Sequence, residues 1–514
     1  MDSPTIIANG FVLTCDPLNR AGRLSLLLRN GRIQEIARNA DAFLMLHPDA
    51  TVIDASQKLI IPGLVNAHVH AESMLLRERT HGRHAAVWKR DARLQEAGAR
   101  LTSPEGLDDL RMLYLFAFFS HLKCGTTLVG EFPPAVDEQG LVHILQAIDR
   151  SDVRAVVALQ NWDQIQQARD LGSSRPHFMI SLGREEDYTV YSFEHLLRAA
   201  GELGVPILAH AAEQREDVDV VKKNFQKGLM AVLRDFGALR QDTLLVHFNH
   251  IPDEDGAFID EAGAPVAVCP RSAMLKQTGY PALRFLLAGR RRPCLGTDWG
   301  DVDMVAEMQF LHQLPLLIPG FPRVPPVEIV KMGTMHGATA LGLASETGSI
   351  EVGKRADLTF FTLHTLRAPL PRDIAGAQEL ADLLLDSLSS RDVSDVMIAG
   401  DFYLSRGQIL TMSEEDVAAG FRAMRERWFP GAVPSLSPEE LQRTKMVPLM
   451  TDAAGGSGPG FEQGLSPTGP AVVPPLAPVV PPPAPSPPAR EVRSAALPEL
   501  SKNVRRVFGD DEEP

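Results

Sequence analysis

The stretch PGLVNAHVHAE, residues 62–72, gives the first indication of how the chain folds. Its apolar run Leu64–His70 has the length of a buried strand, and the run ends in the pair His68 and His70. Side chains alternate along a strand, so these two imidazoles lie on the same face and can reach one metal ion. An HxH pair alone is weak evidence, because two incidental strand histidines would give the same pattern.

Seven more short apolar runs follow this strand, separated by segments of helical length. After Leu64 to His70 they are Gly125 to Phe132, Val153 to Asn161, His177 to Gly183, Pro206 to Glu213, Thr243 to Ile251, Pro265 to Pro270 and Pro293 to Trp299. Helical candidates include Pro104 to Lys123, Ser192 to Leu203, Asp217 to Phe236 and Ala282 to Gly289. Eight strand and helix alternations are typical of an α/β fold with a (β/α)8 TIM-like barrel, here residues 62–345, whose reacting residues lie at strand C-termini.

The segments on either side of the barrel have β patterning. Residues 1–61 alternate β-rich runs with turns, and Asn30-Gly31 between two apolar runs indicates a hairpin. Residues 346–412 return to strands, with a second turn at Ala399-Gly400-Asp401. We expect the two flanks to form one composite β-sandwich domain that is interrupted by the barrel.

Two helices are predicted near the end of the folded part. Pro326 to Leu343 is predicted as the last helix of the barrel, and residues 413–445 contain a C-terminal helix with Ser413 as its N-cap. The apolar positions of that second helix are Val417, Phe421, Met424 and Trp428. Their helical spacing predicts that the helix packs on the body.

Residues 446–514 form a proline-rich tail. Twelve of the 39 prolines fall between residues 451 and 490, and a segment of this composition cannot build a core. We therefore predict a disordered linker over 446–490. Residues 490–514 have two interpretations. They either continue the linker, or they form a short amphipathic helix that recruits a protein partner, since Leu497, Leu500, Val504 and Val507 recur at helical spacing.

Composition and net charge exclude several classes of protein. The chain has 514 residues and net charge −14, with 65 acidic against 51 basic side chains, which argues against a nucleic-acid-binding surface. Four cysteines without a CxxC pair fit a reducing compartment, and the sequence has neither a long apolar run nor a secretory N-terminus. We expect a cytoplasmic homo-oligomer that acts on a small molecule and binds neither nucleic acid nor membrane.

Four of the eight runs end in residues that can bind a metal or transfer protons. These are His68 and His70 on the first run, His210 and Glu213 on the fifth, His247 and His250 on the sixth, and Asp298 on the eighth. Packing alone does not account for such a set at one rim of a barrel. Imidazoles with a carboxylate suit zinc, or iron, and such an ion makes hydroxide available at neutral pH.

The remaining residues of this set suggest catalytic roles. Glu213 can carry protons from the water to a leaving group, and His250 can stabilise the charge that develops on the substrate. Asp298 can contact the metal and also accept the proton of the water. For His247 a role at the site and a purely structural role in the strand are equally open.

Eight segments of the chain closely resemble the amidohydrolase superfamily. They are PGLVNAHVHAESMLLR, LKCGTTLVGE, HAAEQRED, LLVHFNHI, CPRSAMLK, LGTDWGDVDMVAEM, MGTMHGATALGL and GSIEVGKRADL, within about residues 5–410. The resemblance is to the mononuclear aminohydrolase branch, which includes cytosine, guanine and adenosine-type deaminases and triazine hydrolases. It implies a distorted barrel with a β-sandwich from both flanks.

The resemblance also implies a role for each site residue. It makes His68, His70, His210 and Asp298 the metal ligands, Glu213 the proton shuttle and His250 the histidine that faces the hydrolytic water. Binuclear relatives carry a bridging lysine at the end of strand four, whereas this strand ends ISLGREED. We therefore expect one divalent metal ion, zinc first, with iron or manganese as alternatives.

One segment departs from the family pattern. Glu78 stands where the family has glycine, and the following ERTHGRHAAVW is rich in basic residues and histidine. Four side chains here have two interpretations each, as pocket lining or as surface and packing residues: Arg77, His81, His84 and Trp88. Because this segment would contact substrate, the resemblance leaves the substrate open.

Three functions are consistent with these residues. The first is hydrolytic deamination of an amino-substituted nitrogen heterocycle, such as a nucleobase or nucleoside, which Glu213 favours because an amine needs a proton to leave. The second is hydrolysis of another leaving group, a halide or alkylamine from a triazine, or opening of a cyclic amide. The third is a catalytically idle relative that serves as a binding scaffold through its tail.

Overall fold

The computed structural model describes residues 3–429 except 89, 172–176, 253–254, 289–290, 364–367 and 369–375. All of these residues belong to one compact unit, Met1–Gly456. The second unit, Ser457–Pro514, lies outside the described residues. The predictions made for residues 430–445 and for the tail at 446–514 therefore lie outside them too.

The N-terminal flank supplies five strands to an outer sheet. They are β1 (Thr5–Leu13), β2 (Ala21–Arg29), β3 (Arg32–Ala37), β4 (Thr51–Asp54) and β5 (Lys58–Pro62). The predicted Asn30-Gly31 hairpin is confirmed between β2 and β3, with φ of 51° and 71° at the two residues. Glycine is needed at position 31 because a Cβ there would lie 2.3 Å from the carbonyl O of Ala399.

The middle of the chain forms a curled parallel sheet. Its strands are β6 (Leu64–His70), β7 (Thr126–Glu131), β8 (Arg154–Leu159), β9 (His177–Ser181), β10 (Ile207–Ala211), β11 (Thr243–His247), β12 (Val266–Val268), β13 (Cys294–Leu295) and β14 (Asp298–Trp299). They lie in the order β13-β12-β11-β10-β9-β8-β7-β6-β14. Each run predicted as a strand contains one of these strands, and the eighth run contains the last two.

The two edge strands of this sheet, β13 and β14, are nearly continuous in sequence. Only Gly296 and Thr297 separate them, yet β13 pairs with β12 and β14 pairs with β6. The chain can pass this close to β6 because residue 296 has no side chain, since a Cβ there would lie 2.7 Å from the carbonyl O of His68. Asn66 holds Thr297 through two hydrogen bonds of 2.7 and 3.0 Å.

The C-terminal flank joins the outer sheet. Its strands are β15 (Leu358–Thr362), β16 (Val393–Ile398), β17 (Asp401–Ser405) and β18 (Gln408–Ile409), and β15 pairs antiparallel with β5. The order is β18-β17-β16-β15-β5-β1-β2-β3, with β4 beside β1. Both flanks therefore share one mostly antiparallel sheet, and their predicted association is confirmed. The two-layer sandwich form stays a prediction.

Helices lie between or after strands of both sheets. They are α1 (Asp41–Leu46), α2 (Arg77–Thr80), α3 (Ala85–Trp88), α4 (Ala92–Leu101), α5 (Leu107–Lys123), α6 (Glu138–Ser151), α7 (Trp162–Leu171), α8 (Val190–Leu203), α9 (Arg215–Phe225), α10 (Leu229–Asp235), α11 (Gly256–Ala262), α12 (Pro270–Leu275), α13 (Leu283–Ala288), α14 (Met304–Leu317), α15 (Pro326–Met332), α16 (Met335–Ala340), α17 (Ala377–Ser387) and α18 (Glu414–Trp428). Among the described residues no helix is both long and apolar enough to span a bilayer.

Two segments predicted as single helices are each broken in two. Asp217 to Phe236 is divided into α9 and α10 at Gln226, which has a left-handed φ of 54°. Pro326 to Leu343 is divided into α15 and α16 because the carbonyl of Gly333 accepts a hydrogen bond from the N–H of Val65 in β6, at 2.8 Å. This contact with β6 therefore interrupts the predicted helix at Gly333.

Packing contacts tie these layers together. Arg154 at the start of β8 donates to both carboxylate oxygens of Asp357, at 2.9 and 3.2 Å, and both side chains are buried. The predicted C-terminal helix is confirmed as α18, and Ser413 caps it by accepting a hydrogen bond from the N–H of Asp416. Its Phe421 stacks on Phe116 of α5 at 3.8 Å between ring centroids.

Candidate metal centre and active site

Three of the predicted metal ligands meet at the end of β6. His68 and His70 lie on this strand, and Asp298 pairs beside them at the start of β14. Their Nε2 atoms lie 3.8 and 3.4 Å from Oδ1 of Asp298. Asp298 has a left-handed φ of 56°, which is uncommon for a residue other than glycine and occurs often at functional sites.

Two further histidines complete the cluster from the opposite strands. His210 lies on β10 and His247 ends β11, with their ring centroids 5.4 Å apart. Ligand atoms of His68, His210 and His247 all lie within 4.8 Å of one another, and so do those of His68, His70 and Asp298. The structure therefore brings together the four predicted ligands and adds His247.

The cluster contains buried polar atoms that make no hydrogen bond. They are both ring nitrogens of His68, Nε2 of His70, His210 and His247, and Oδ1 of Asp298. Buried polar atoms of this kind are rare and costly. One divalent cation at this position could bind Oδ1 of Asp298 and one nitrogen of each ligand histidine, so the residues fit a metal ion.

Burial also keeps these imidazoles in the form that binds metals. It holds the pKa of His68 and of His210 well below the usual value, and it lowers the pKa of His247 to about 4. The Nδ1 of His210 lies 3.4 Å from the carbonyl O of Gly183, which favours the proton on Nδ1 and leaves Nε2 free to donate a lone pair. Neutral histidines are the ligands that zinc and iron prefer.

Glu213 lies beside this cluster and is buried, with 2% of its surface exposed. Its Oε2 lies 3.0 Å from Nη1 of Arg184 and 3.7 Å from Nε2 of His247. Its Oε1 lies 2.5 Å from Nζ of Lys276. Burial alone would raise the pKa of Glu213, but the charge of Lys276 and the other neighbours holds it well below the usual value. The side chain is therefore an ionised carboxylate that can accept a proton.

Lys276 is a site residue that the sequence prediction missed. It follows α12, is 3% exposed, and its Nζ contacts both Glu213 and Asp298. The other partner of Asp298 is Ser272, whose Oγ donates to Oδ2 at 2.6 Å. Burial would raise the pKa of Asp298, but Lys276 pulls it well below the usual value. One feature of the sequence could have identified Lys276. It follows the seventh strand closely, at the rim where the other site residues lie.

His250 lies outside the cluster. Its Nε2 donates a hydrogen bond to the carbonyl O of Thr278 at 2.9 Å, and its side chain is half-buried. The chain turns sharply at the end of β11, where His247 and Phe248 both have a positive φ, so His247 is the residue that reaches the centre. The catalytic role of His250 stays a prediction, and the geometry favours His247 for it.

The unusual segment after β6 packs against the centre. Trp88 stacks on Trp299 with ring centroids 4.7 Å apart, and Trp299 lies 5.6 Å from the ring of His70. Backbone hydrogen bonds join the segment to the end of α12, with the N–H of Ala85 donating to the carbonyl of Lys276 at 3.0 Å. The other three residues of this segment with two interpretations, pocket lining or surface and packing, are partly buried: Arg77, His81 and His84.

Comparisons with known proteins agree with this geometry. The amidohydrolase family model matches residues 59–403. The chain is 27% identical to 5-methylthioadenosine/S-adenosylhomocysteine deaminase of Moorella thermoacetica over 72% of this chain and 87% of that protein. It is 26% identical to 5'-deoxyadenosine deaminase of Methanosarcina acetivorans over 82% of this chain and 97% of that protein.

Solved structures share the fold. An adenosine deaminase from Xanthomonas campestris with bound zinc superimposes with a TM-score of 0.73 at 22% identity, over 82% of this chain and 98% of that chain. E. coli guanine deaminase has a TM-score of 0.67 at 17% identity, over 78% of this chain and all of that chain.

Proposed function

The chain belongs to the amidohydrolase family, and from this premise we propose that it hydrolyses C–N bonds other than peptide bonds. The specific reaction we propose is removal of the amino group from an amino-substituted nitrogen heterocycle, a nucleobase, nucleoside or related compound. Deaminases of adenosine derivatives among its relatives support this reaction. The main support for the proposal is a buried cluster of imidazole nitrogens and a carboxylate oxygen that make no hydrogen bond. This cluster lies next to an ionised glutamate.

One divalent ion, proposed to be zinc, would be held by His68, His70, His210 and Asp298. The unpaired ligand atoms of this set, and the zinc bound to the Xanthomonas protein of the same fold, support the assignment. The loop after β9 carries Arg184 and no lysine, which supports a single ion. When bound, such an ion supplies a water acidic enough to lose a proton near neutral pH.

Glu213 would transfer the protons of the reaction. Its carboxylate is ionised, and it borders both His247 and Asp298, so it can take a proton from water and return it to the leaving amine. Arg184 orients the carboxylate through Oε2, at 3.0 Å, the oxygen that also faces His247. His247 would stabilise the ring nitrogen that gains negative charge as water adds to the adjacent ring carbon, because its Nε2 faces the centre without a hydrogen bond.

The finer architecture is part of the same proposal. β13 and β14 would be two halves of one eighth strand, which pairs with β12 on one side and β6 on the other and closes a (β/α)8 barrel. The boundaries at residues 62 and 345 are proposed with it. A cytoplasmic location is supported by four cysteines that form no disulfide. Homo-oligomerisation and a partner for residues 490–514 stay predictions.

Ammonia release from a panel of aminated purines, pyrimidines, nucleosides, pterins and triazines tests the proposal. We expect ammonia from at least one heterocycle with the purified, metal-loaded chain. A chain that carries its metal yet releases halide or alkylamine, and no ammonia, would assign it to a different leaving group. A chain inert toward the whole panel would support a binding role instead.

Two matched variants separate the histidines that follow β11. We expect His247→Asn to lower kcat by about a hundredfold, the cost of losing one group that stabilises the negative charge developing on the substrate. His250→Asn should keep most of the activity, because its Nε2 is already committed to Thr278. A larger loss of kcat in His250→Asn than in His247→Asn would instead support the catalytic role predicted for His250.

A further inference from the structure

Lys276 is a charged residue of the centre to which the proposed reaction gives no task. Its Nζ contacts the carboxylates of Glu213 and Asp298, and only 3% of the residue is exposed. Its backbone is fixed at both ends, since its N–H donates to Ser272 and its carbonyl accepts from Ala85. The ammonium group is thus held between the proton shuttle and a proposed metal ligand.

We propose that Lys276 is an internal counter-cation, which stabilises the metal-free centre and weakens its affinity for a divalent ion. This inference rests on the metal site of the proposed function. It concerns the binding of the ion and not the reaction, so it can be tested without any substrate.

The charges in the centre balance one another without an ion. Four charged side chains are in direct contact here: Glu213, Asp298, Lys276 and Arg184. Two are negative and two positive, so the group is neutral without an ion. A divalent ion adds two positive charges to a buried neutral group, where charges interact strongly. Lys276 therefore opposes the ion, whereas a centre without it would attract the ion more strongly.

Lys276 does not block the ligand atom of Asp298. Asp298 uses Oδ2 for Lys276 and Ser272, while its Oδ1 faces His70 at 3.4 Å and makes no hydrogen bond. An ion can bind Oδ1 while the ammonium stays on Oδ2. The effect of Lys276 on the ion is therefore one of charge, and methionine removes that charge at similar volume.

Burying the charges of the two carboxylates costs free energy unless a cation compensates them. Glu213 and Asp298 are both at least 98% buried, and removing one partner from a buried ion pair leaves an uncompensated charge. Without an ion, the loss of Lys276 should therefore destabilise the protein. With an ion bound, the ion itself compensates the carboxylates. One substitution thus has opposite effects on metal-free stability and on metal affinity.

The test uses the full chain carrying Lys276→Met, made metal-free by dialysis against a chelator. We expect the metal-free Tm to fall by several degrees and the Kd for zinc, measured by competition with a chromophoric chelator, to become ~10-fold tighter or more. Lys331→Met is the matched control, since Lys331 is also buried and pairs with a carboxylate, Glu328, at 3.3 Å on α15. It should lose stability without tighter zinc binding.

Zinc binding by Lys276→Met that is unchanged or weaker than in the wild type overturns the inference, as does an unchanged metal-free Tm. If this variant does not fold without metal, Lys276→Gln keeps a polar group in place and is judged by the same two measurements. A wild-type chain that binds no zinc overturns the proposed function as well. Wild-type zinc binding with no gain in the variants overturns only this inference.

Discussion

Glu213→Gln removes a proton-accepting carboxylate and keeps the volume of the side chain. In the structure one carboxylate oxygen faces Lys276 at 2.5 Å and the other faces Arg184 at 3.0 Å. A glutamine has one carbonyl oxygen, so it can accept from one of these cations but cannot replace the charge that faces both. It also cannot carry a proton from water to the leaving group. We expect kcat to fall by ~10²–10⁴-fold, equivalent to about 3–5 kcal/mol of activation free energy.

The assay is steady-state ammonia release by the metal-loaded chain, with metal content measured on the same samples. Glu216→Gln is the matched control, because Glu216 lies three residues further on and is exposed on α9. It should retain wild-type turnover. Turnover is expressed per bound zinc, because removing the negative charge of Glu213 from the centre should also weaken zinc binding. Full turnover in Glu213→Gln with unchanged metal would refute the assignment of Glu213 as the proton shuttle.

Three further changes test the fold. Arg154→Met leaves Asp357 as an unpaired buried carboxylate and should lower the free energy of unfolding by about 3–5 kcal/mol in urea titrations; a loss below 1 kcal/mol would contradict the role of this ion pair. Burial raises the pKa of Glu307 from 4.5 to about 8, so this side chain should lower the stability of the wild type relative to Glu307→Gln as pH rises from 4.5 to about 8. Glu307→Gln should flatten that part of the Tm profile, and an unaltered profile would count against it. Ser413→Ala removes the cap of α18 and should cost about 1 kcal/mol, measured in the same titrations, whereas no loss would show that the cap is dispensable.

Local patterns were sufficient to find the strands. Apolar runs bounded by turn residues predicted each strand of the parallel sheet, and Asn30-Gly31 predicted its hairpin because only certain residues adopt a positive φ. The helix breaks at Gln226 and Gly333 could not be predicted in the same way. At Gly333 the cause is a hydrogen bond from Val65, which lies more than 250 residues away in sequence.

The candidate site was predictable to the same extent. His68 and His70 follow from strand periodicity, and Asp298 from its position at the end of the eighth run. Lys276 has no spacing motif, and its role depends on two carboxylates that only the fold brings to it. The choice between His247 and His250 depends on a backbone turn with positive φ at a residue other than glycine, which the sequence does not reveal.

The central claim is that this chain deaminates a heterocycle with a metal ion bound to the cluster around His68 and Asp298. The most direct measurement combines zinc content with ammonia release before chelation, after chelation and after zinc is added back. We expect one ion per chain, activity that is lost with the ion, and activity that returns with zinc. Ammonia release that continues at the same rate in the metal-free chain would contradict it.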